Sequence, residues 1–379
     1  MAEWKNYTLE EVCERIYSGG TPSTKHEEYW NGDIKWLSSG ETSQRFVYDT
    51  ERKITKRGVE NSATKLATKG CTVVATAGQG YTRGQASFLM TDTYMNQSVI
   101  ACKANENVIL PLYLYYNLDS RYEEFRLLSD GTSTRGGLSG WILKRMEIKL
   151  PPKSLQKKIV DILYSIDRKI EENNAINNNL EHQISALYQS WFEDFDTTNG
   201  ICPENWNNQE LSTIADISSG KRPPMKSESY SQETSVPIVG AASVMCFTSE
   251  ANHTDKILVI GRVGTHGVVQ RFNTPCWTSD NTLVIKSPYY EFTNQILQRI
   301  DYSSMNRGST QPLITQGDMK KVRVLIPNAE ILAKFESFAG TLMKRWEANK
   351  QENVKLASLR DTLLPKLMSG ELDVSNVEI

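Results

Sequence analysis

Two long stretches of the chain share one pattern of apolar and polar positions. In residues 155–192 no Pro or Gly occurs, and apolar side chains recur every three or four residues: Ile159, Ile162, Ile166, Ile170, Leu180, Ile184, Leu187 and Trp191. This spacing predicts a helix with one narrow apolar stripe and a polar opposite face. At about 1.5 Å per residue it would be roughly 55 Å long. So narrow a stripe favours a partner helix over a globular core.

The second stretch, residues 331–368, is the predicted partner. Its apolar positions have similar spacing: Phe335, Phe338, Leu342, Trp346, Leu356, Leu359, Leu363 and Leu367. When Leu155 is aligned with Ile331, Asn173 and Asn177 fall on Asn349 and Asn353. A buried Asn between paired helices weakens the pair but fixes its register. We expect an antiparallel helical pair; the alternative is two unrelated core helices.

A mixed pattern of helix and strand signals precedes the first long helix. We expect a short amphipathic helix within residues 4–20 and a helix over 111–128, whose core-facing side chains are Leu112, Tyr115, Tyr116, Tyr122 and Phe125. Strands are predicted at residues 34–37, 71–77, 86–90, 98–103 and 142–150. Residues 50–69 are polar and predict a short helix between turns.

The same order of signals then occurs a second time. Gly80 corresponds to Gly264 and, in the same alignment, Asn96-Gln97 to Asp280-Asn281. Residues 142–151 match 318–327 at the offset that also relates the two long helices. The sequence therefore predicts an α+β protein with two repeated mixed α/β domains, joined by two long antiparallel helices that form a coiled-coil stem. The expected boundaries are 1–152 for the first domain, 153–196 for the first helix, 197–328 for the second domain and 329–379 for the second helix and tail.

Composition narrows the class of protein. The chain has 379 residues, enough for two or three domains, and 39% hydrophobic and 23% charged residues are ordinary for a soluble protein. No apolar run approaches the roughly 20 residues of a membrane span, and the first residues do not resemble a signal peptide. The six cysteines are scattered and predict reduced thiols in the cytoplasm: Cys13, Cys71, Cys102, Cys202, Cys246 and Cys276. Because the formal net charge is −2, a nucleic-acid role needs local basic patches.

No catalytic, metal or cofactor site is predicted. The glycine-rich loop Gly78-x-Gly80-x-x-x-Gly84 lacks the spacing of a dinucleotide-binding loop, and its copy, Gly261-x-x-Gly264-x-x-Gly267, is spaced differently. No ATP-binding glycine loop, His pair at metal-ligand spacing or nucleophile triad occurs. We therefore expect a binding protein rather than an enzyme.

The loops of both domains mix glycine with Arg, Asn, Gln, Ser and Thr, which suits DNA. Glycine lets the backbone approach a phosphate, Arg pairs with guanine edges, and Asn or Gln pairs with adenine edges. The alternative for each residue is a solvated loop or turn position. Candidates in the first domain are Ser18, Thr21, Gln79, Thr82, Arg83, Gln97, Thr132 and Arg135. Candidates in the second domain are Lys221, Arg222, Arg262, Thr265, His266, Asn281, Arg307, Ser309 and Gln311.

Four motifs along the chain are those of a known family. They are Ser18-Gly19-Gly20-Thr21-Pro22, Leu187-Tyr188-Gln189-Ser190-Trp191-Phe192 with Asp194-Phe195-Asp196, Pro203-x-x-Trp206, and Leu359-Arg360-x-x-Leu363-Leu364-Pro365-Lys366-Leu367-Met368-Ser369-Gly370-Glu371-Leu372. With these motifs the chain resembles, over nearly its whole length, the specificity (S) subunits of type I restriction-modification systems. The second copy of the opening loop, Ser219-Gly220-Lys221-Arg222-Pro223, departs from the first.

The resemblance implies that each domain is a target recognition domain for one half of a bipartite site in double-stranded DNA. It implies that the helices hold the domains apart and dock two modification (methyltransferase) subunits, which two restriction subunits can join. S-adenosylmethionine, ATP and Mg would then belong to these partners, and this chain would have no cofactor. Exposed apolar side chains expected at Trp191, Phe192, Leu363 and Leu367 would bind the partners.

Two other hypotheses predict different properties. A nucleotide-binding transferase with duplicated domains would bind nucleotide as an isolated chain. A purely structural coiled-coil scaffold would have domains that bind nothing. A DNA-binding module instead predicts an affinity for DNA that falls as salt rises.

Overall fold

The computed structural model of the chain describes residues 3–78, 80–130, 137–305 and 313–377. The structure divides into two compact units, residues 1–172 with 352–379, and residues 173–351. Each unit contains one domain of strands and short helices together with one segment of each long helix.

Both units contain strands and helices, and the strands outnumber the helices in the described ranges. The strands are β1 (Lys5–Thr8), β2 (Cys13–Ser18), β3 (Trp30–Leu37), β4 (Phe46–Val47), β5 (Arg52–Ile54), β6 (Lys65–Ala67), β7 (Thr72–Ala75), β8 (Ala86–Leu89), β9 (Thr93–Met95), β10 (Val99–Ala104), β11 (Glu147–Leu150), β12 (Asn207–Glu210), β13 (Asp216–Ser219), β14 (Val236–Val239), β15 (Val244–Thr248), β16 (Ile257–Gly261), β17 (Gln270–Phe272), β18 (Trp277–Thr278), β19 (Thr282–Lys286) and β20 (Arg323–Ile326). The α-helices are α1 (Leu9–Val12), α2 (Lys56–Glu60), α3 (Pro111–Asp119), α4 (Tyr122–Asp130), α5 (Gly140–Arg145), α6 (Lys153–Phe192), α7 (Tyr290–Arg299), α8 (Gln316–Lys320) and α9 (Ala329–Ser369).

The first unit is built around a five-stranded sheet of order β2-β10-β7-β8-β4. Its pairs are antiparallel except β4 with β8. The register places Ile100 opposite both Ser18 and Val74. A second sheet, of order β5-β3-β9-β6, and the pair β1-β11 complete the domain. All four residues of β7 are buried, and its sequence, Thr-Val-Val-Ala, accordingly lacks the alternation of apolar and charged residues that a half-exposed strand shows.

The second unit repeats the central sheet. Its order, β13-β19-β16-β17, corresponds to β2-β10-β7-β8 of the first unit, and all its pairs are antiparallel. A smaller sheet, β15-β14-β18, and the pair β12-β20 accompany it. The helices α5 and α8 begin at Gly140 and Gln316, and the strands β11 and β20 begin at Glu147 and Arg323. Each of these two pairs is separated by the same number of residues that separates 142–151 from 318–327 in the sequence. The structure therefore confirms the repeat.

The long helices are confirmed and run antiparallel within each unit. In the first unit the beginning of α6 packs with the end of α9, and Leu163 and Leu367 are fully buried in one core cluster. In the second unit the end of α6 packs with the beginning of α9, and Phe192 stacks edge-on against Phe335 with ring centroids 5.2 Å apart. Each fully buried Leu or Phe side chain contributes about 1.5–3 kcal/mol.

Several sequence predictions for the first domain need correction. Residues 4–20 do not form a helix: β1, the single turn α1 and β2 occupy them, because β1 pairs with β11 and β2 with β10. The predicted helix 111–128 is two helices, α3 and α4, separated at Ser120 and Arg121. The predicted strand 142–150 begins as α5, since the Ser139 side chain accepts the Ile142 N–H and caps a helix.

Other predictions for this domain are confirmed. Strands β3, β7, β8 and β10 lie where the apolar runs placed them. Within residues 50–69 the short helix α2 is confirmed, but the strands β5 and β6, not turns alone, flank it, because β5 pairs with β3 and β6 with β9. Of the predicted core residues, Tyr115, Tyr116 and Phe125 are fully buried, while Leu112 and Tyr122 are half-buried. The compact units divide both long helices, so they do not test the predicted domain boundaries, which stay predictions.

Candidate nucleic-acid interface

The opening loop of the first domain crosses the end of a neighbouring strand. Ser18 is the last residue of β2, and a Cβ at Gly19 would overlap the carbonyl oxygen of Met95. The Gly20 N–H donates to Met95 O at 3.0 Å, and the Trp36 indole Nε1 donates to Gly20 O at 3.3 Å. Glycine is needed at position 19 because the two backbones approach so closely.

The second domain holds its opening loop in the same way. A Cβ at Gly220 would overlap the carbonyl oxygen of Ser279. The Lys221 N–H donates to Thr278 O at 2.9 Å, and the Trp277 indole Nε1 donates to Lys221 O at 2.8 Å. The loop backbone and its indole support are thus repeated, although the side chains that the two loops present differ.

The presented side chains are exposed in both loops. Thr21 donates through Oγ1 to Gln97 Oε1 at 2.5 Å, so the structure brings two predicted residues of the first domain together. In the second domain Lys221 and Arg222 occupy the positions of Gly20 and Thr21 and are exposed. Two cations therefore take the places of a glycine and a neutral threonine.

The loop after β7 carries further candidates. Thr82 and Arg83 are half-buried in it, and Gly84 N–H donates to Ala75 O at 2.9 Å, which closes the loop. Helix α4 supports the loop: Tyr122 OH donates to Tyr81 O at 3.0 Å. The Tyr81 side chain itself is 83% exposed. Tyr81 was not among the residues predicted from the sequence to form the interface. Its position could have indicated exposure, because it is an aromatic residue in a glycine-rich loop without apolar periodicity.

The loop after β16 brings two candidates of the second domain together. The Arg262 N–H donates to Asn281 O at 2.8 Å, and Arg262 O accepts the Ile314 N–H at 3.0 Å. Thr265 is exposed and His266 is half-buried. Gly264 and Gly267 have φ values of 84° and 83°, which favour glycine at both turns.

The predicted residues that lie outside the described part of the chain are Gln79, Thr132, Arg135, Arg307, Ser309 and Gln311. Their assignment to DNA remains a prediction.

A histidine next to the second opening loop has a lowered pKa. Burial lowers the pKa of His253 below its usual value, the positive charges of Lys286 and, more weakly, Lys221 act in the same direction, and the carboxylate of Asp255 opposes them. The His253 backbone pairs with Cys276 immediately before β18. Lys286 is itself paired with Asp255 at 2.7 Å, which leaves Lys221 and Arg222 as the cations that the loop presents.

The expected exposure of the partner-binding residues is wrong at two positions. Phe192 is 5% exposed because it packs among Trp206, Phe292 and Phe335, and Leu367 is fully buried in the first unit. The domain cores cover these side chains. Trp191 and Leu363 are half-buried. The most exposed aromatic side chain of α9 is that of Phe338, which is 57% exposed. Its ring centroid lies 5.9 Å from that of Trp191. The sequence had predicted Phe338 to lie in the apolar stripe between the two long helices.

The geometry offers binding surfaces. Within the described ranges, no group of three or more His, Cys, Asp or Glu side chains could hold a metal ion. None of the helices in the described part of the chain is long and apolar enough to cross a membrane.

The two repeated domains present glycine-containing loops whose backbones are held by hydrogen bonds and whose side chains are hydrogen-bonding or cationic. These features define a duplicated binding protein on a helical stem.

The family is shown by a match to the type I restriction modification DNA specificity domain, which covers residues 1–182 and 203–356. The chain belongs to this family. It is a specificity subunit, the non-catalytic component that recognises DNA in a restriction-modification complex, and the predicted resemblance is confirmed.

Similar proteins cover almost the whole chain. The specificity subunit of the MjaIX type I restriction enzyme of Methanocaldococcus jannaschii is 26% identical over 99% of this chain and 95% of its own. The HindI specificity subunit of Haemophilus influenzae is 21% identical over 98% of this chain and all of its own. The crystal structure of the S subunit from M. genitalium has a TM-score of 0.60 at 18% identity, covering 97% of this chain and 96% of that one. This likeness shows the shared fold.

Proposed function

We propose that the two domains recognise two different halves of one bipartite DNA site. The observation that carries this proposal is the pair of opening loops. Their backbones are fixed in the same way by Gly19 and Gly220, while the presented side chains change from Thr21 to Arg222. A repeated support with different presented side chains suits one binding mode applied to two base sequences.

Three regions of each domain would form the DNA face. They are the opening loop, the loop after β7 or β16, and the turn before β10 or β19. Arg83 and Arg262 would contact guanine edges or phosphates, and Gln97 and Asn281 would contact adenine edges or phosphates. Lys221 and Arg222 would strengthen the electrostatic contribution in the second domain.

The helical stem would set the spacing between the half-sites and dock two modification subunits. Partner contacts would centre on Trp191 with the exposed Phe338, and on Leu363 with Leu359, which is 49% exposed. S-adenosylmethionine, ATP and Mg would be bound by the modification and restriction subunits, with two restriction subunits in complexes that cleave. The assembly would act in the cytoplasm on the cell's own DNA. The comparisons give no support to the nucleotide-binding transferase.

The proposal is tested by binding of the assembled complex to duplexes. The methylated motif is first mapped in cells, and fluorescence anisotropy then compares the intact motif with duplexes in which one half or the other is scrambled. Each scrambled half should weaken binding by about a hundredfold or more, since each mismatched base pair costs about 1–3 kcal/mol. Full affinity with either half alone would refute two-domain recognition.

A further inference from the structure

An ionic cluster with a buried carboxylate at its centre joins the first domain to both long helices. This group, called here the Asp167 cluster, consists of Asp167 on α6, Arg360 on α9, Tyr116 and Asp119 on α3, and Arg45 just before β4. The Asp167 side chain is 2% exposed and that of Arg360 is 11% exposed. The cluster contains two carboxylates and two guanidinium groups, and Arg360 Nη2 also lies 2.8 Å from Oδ1 of the exposed Asp361.

Asp167 is the centre of the cluster. Its Oδ1 accepts from Arg360 Nη1 at 2.9 Å and lies 3.2 Å from Arg45 Nε. Its Oδ2 accepts from the Tyr116 hydroxyl at 2.8 Å and from Arg45 Nη2 at 3.4 Å. Arg45 Nη1 also lies 2.9 Å from Asp119 Oδ2. One carboxylate on the stem thus contacts two segments of the domain and the other helix.

Apolar side chains take the place of this ion pair in the second unit. In the alignment that relates the two long helices, Asp167 corresponds to Met343 and Arg360 to Ile184. Met343 is 3% exposed and Ile184 is 1% exposed, and both belong to the apolar core of the second unit. The same place in the helical pair therefore accommodates either an ion pair or two apolar side chains.

This comparison indicates what the ion pair contributes. Replacing both members of a buried ion pair with apolar groups is often neutral or stabilising, so a buried pair is weak evidence for stability. Charged hydrogen bonds constrain distance and angle, whereas apolar contacts are non-directional. A shift of α9 by one heptad would place Asn353 or Leu367 at the position of Arg360 and remove the cation from Asp167. The ion pair thus favours one register and one orientation.

We propose that Asp167 and Arg360 are positioning residues that fix the orientation of the first domain on its stem, and that they thereby restrict the number of base pairs accepted between the half-sites. Neither side chain contacts DNA in this proposal; both act through α3 and the segment before β4. The proposal rests on the proposed function, because a spacer exists only where two half-sites are recognised.

The test transfers the apolar pair of the second unit into the first. The full-length Asp167→Met/Arg360→Ile variant is assembled with its modification subunits. Methylation rates are then measured on duplexes whose half-sites are fixed and whose spacer is shortened or lengthened by one base pair. A displacement of about 1 Å can cost about a hundredfold in rate. We therefore expect wild type to lose about a hundredfold on altered spacers and the variant to lose only about tenfold.

Controls separate positioning from stability. Ile184→Val/Met343→Leu changes the equivalent pair of the second unit while keeping it apolar, and should retain the wild-type spacer preference. If the double variant does not fold, Tyr116→Phe is used instead, because it removes only the hydroxyl bonded to Asp167. We expect this variant to lose less rate on altered spacers than wild type does, by a smaller margin than the double variant. The inference is overturned if the folded double variant keeps the wild-type spacer preference. The same outcome for Tyr116→Phe overturns it where the double variant does not fold. Absence of any bipartite site in wild type would instead overturn the proposed function.

Discussion

Asn349 on α9 donates through Nδ2 to Oδ1 of Asn177 on α6 at 2.9 Å, inside the second unit. Asn349 is 1% and Asn177 is 6% exposed. Asn177 Nδ2 also donates to Trp346 O at 3.3 Å. The expectation that these asparagines are buried between the helices is therefore confirmed for this pair. A paired amide in an apolar seam opposes any other register, because a shift would leave both amides buried without their partner.

Replacing one asparagine of this pair should destabilise the chain more than replacing both. Asn349→Leu leaves the buried Oδ1 of Asn177 without its donor, at a cost of about 1–3 kcal/mol. Asn177→Leu/Asn349→Leu removes both amides, and its stability should return to or exceed that of wild type. Urea unfolding followed by circular dichroism measures both. Equal stability of the single variant and wild type would show that the hydrogen bond does not matter.

The close approach at the second opening loop predicts a strong effect of one methyl group. Gly220→Ala should lower the unfolding free energy by more than about 1 kcal/mol, because the added Cβ overlaps the Ser279 carbonyl. Gly340 on α9 has no neighbouring atom within 4 Å of such a Cβ. Gly340→Ala should therefore stabilise the helix by up to about 1 kcal/mol. Thermal unfolding of the two variants should show shifts of opposite sign; two shifts of the same sign would contradict the loop geometry.

The arginines of the two central loops should contribute to DNA affinity. Arg83→Ala and Arg262→Ala should each weaken binding of the assembled complex, and if either contacts a phosphate the slope of log affinity against log salt should fall by about 0.9. Anisotropy titrations between low and high salt measure this. Lys334→Ala is a matched control, since Lys334 on α9 is paired with Glu330 at 2.8 Å and lies outside the proposed DNA face. If a variant binds DNA with wild-type affinity across the salt range, the arginine that it lacks does not belong to the DNA face.

The lowered pKa of His253 predicts a pH dependence of stability. Because burial lowers its folded-state pKa below the usual 6.5, the folded chain binds fewer protons than the unfolded chain in that range. Its contribution is therefore fully present above pH 6.5 and is lost as pH falls through the folded-state pKa. His253→Gln should flatten the stability profile between about pH 7 and about pH 5 relative to wild type. Parallel profiles for variant and wild type would exclude His253 as the titrating group.

The sequence predicted the elements that have strong periodicity and an internal repeat. The long helices and buried strands such as β7 belong to this group, since each carries enough apolar positions to define its period. The prediction for residues 4–20 was wrong because their short apolar pattern fits a helix. In the structure most of them form strands that pair with β10 and β11, which are distant in sequence. Local propensity cannot include partners so distant in sequence.

The candidate interface was predictable in composition but not in construction. The glycine and the Arg, Asn and Gln residues of the loops identified the DNA face as a hypothesis. The indole support from Trp36 and Trp277 was not visible, because each tryptophan is bonded to a backbone oxygen distant in sequence. Phe192 and Leu367 were misjudged as exposed because a helical stripe does not show which part a domain covers.

The most direct test of two-domain recognition replaces residues 201–327 with the corresponding domain of a related S subunit and keeps the rest of the chain. Single-molecule methylation mapping is then applied to DNA from cells expressing either chain with its modification subunit. We expect a bipartite adenine-methylated motif in both, with one half identical and the other half changed. Replacement that alters both halves, or neither, while the complex still assembles and methylates, would contradict the assignment of one half-site to each domain.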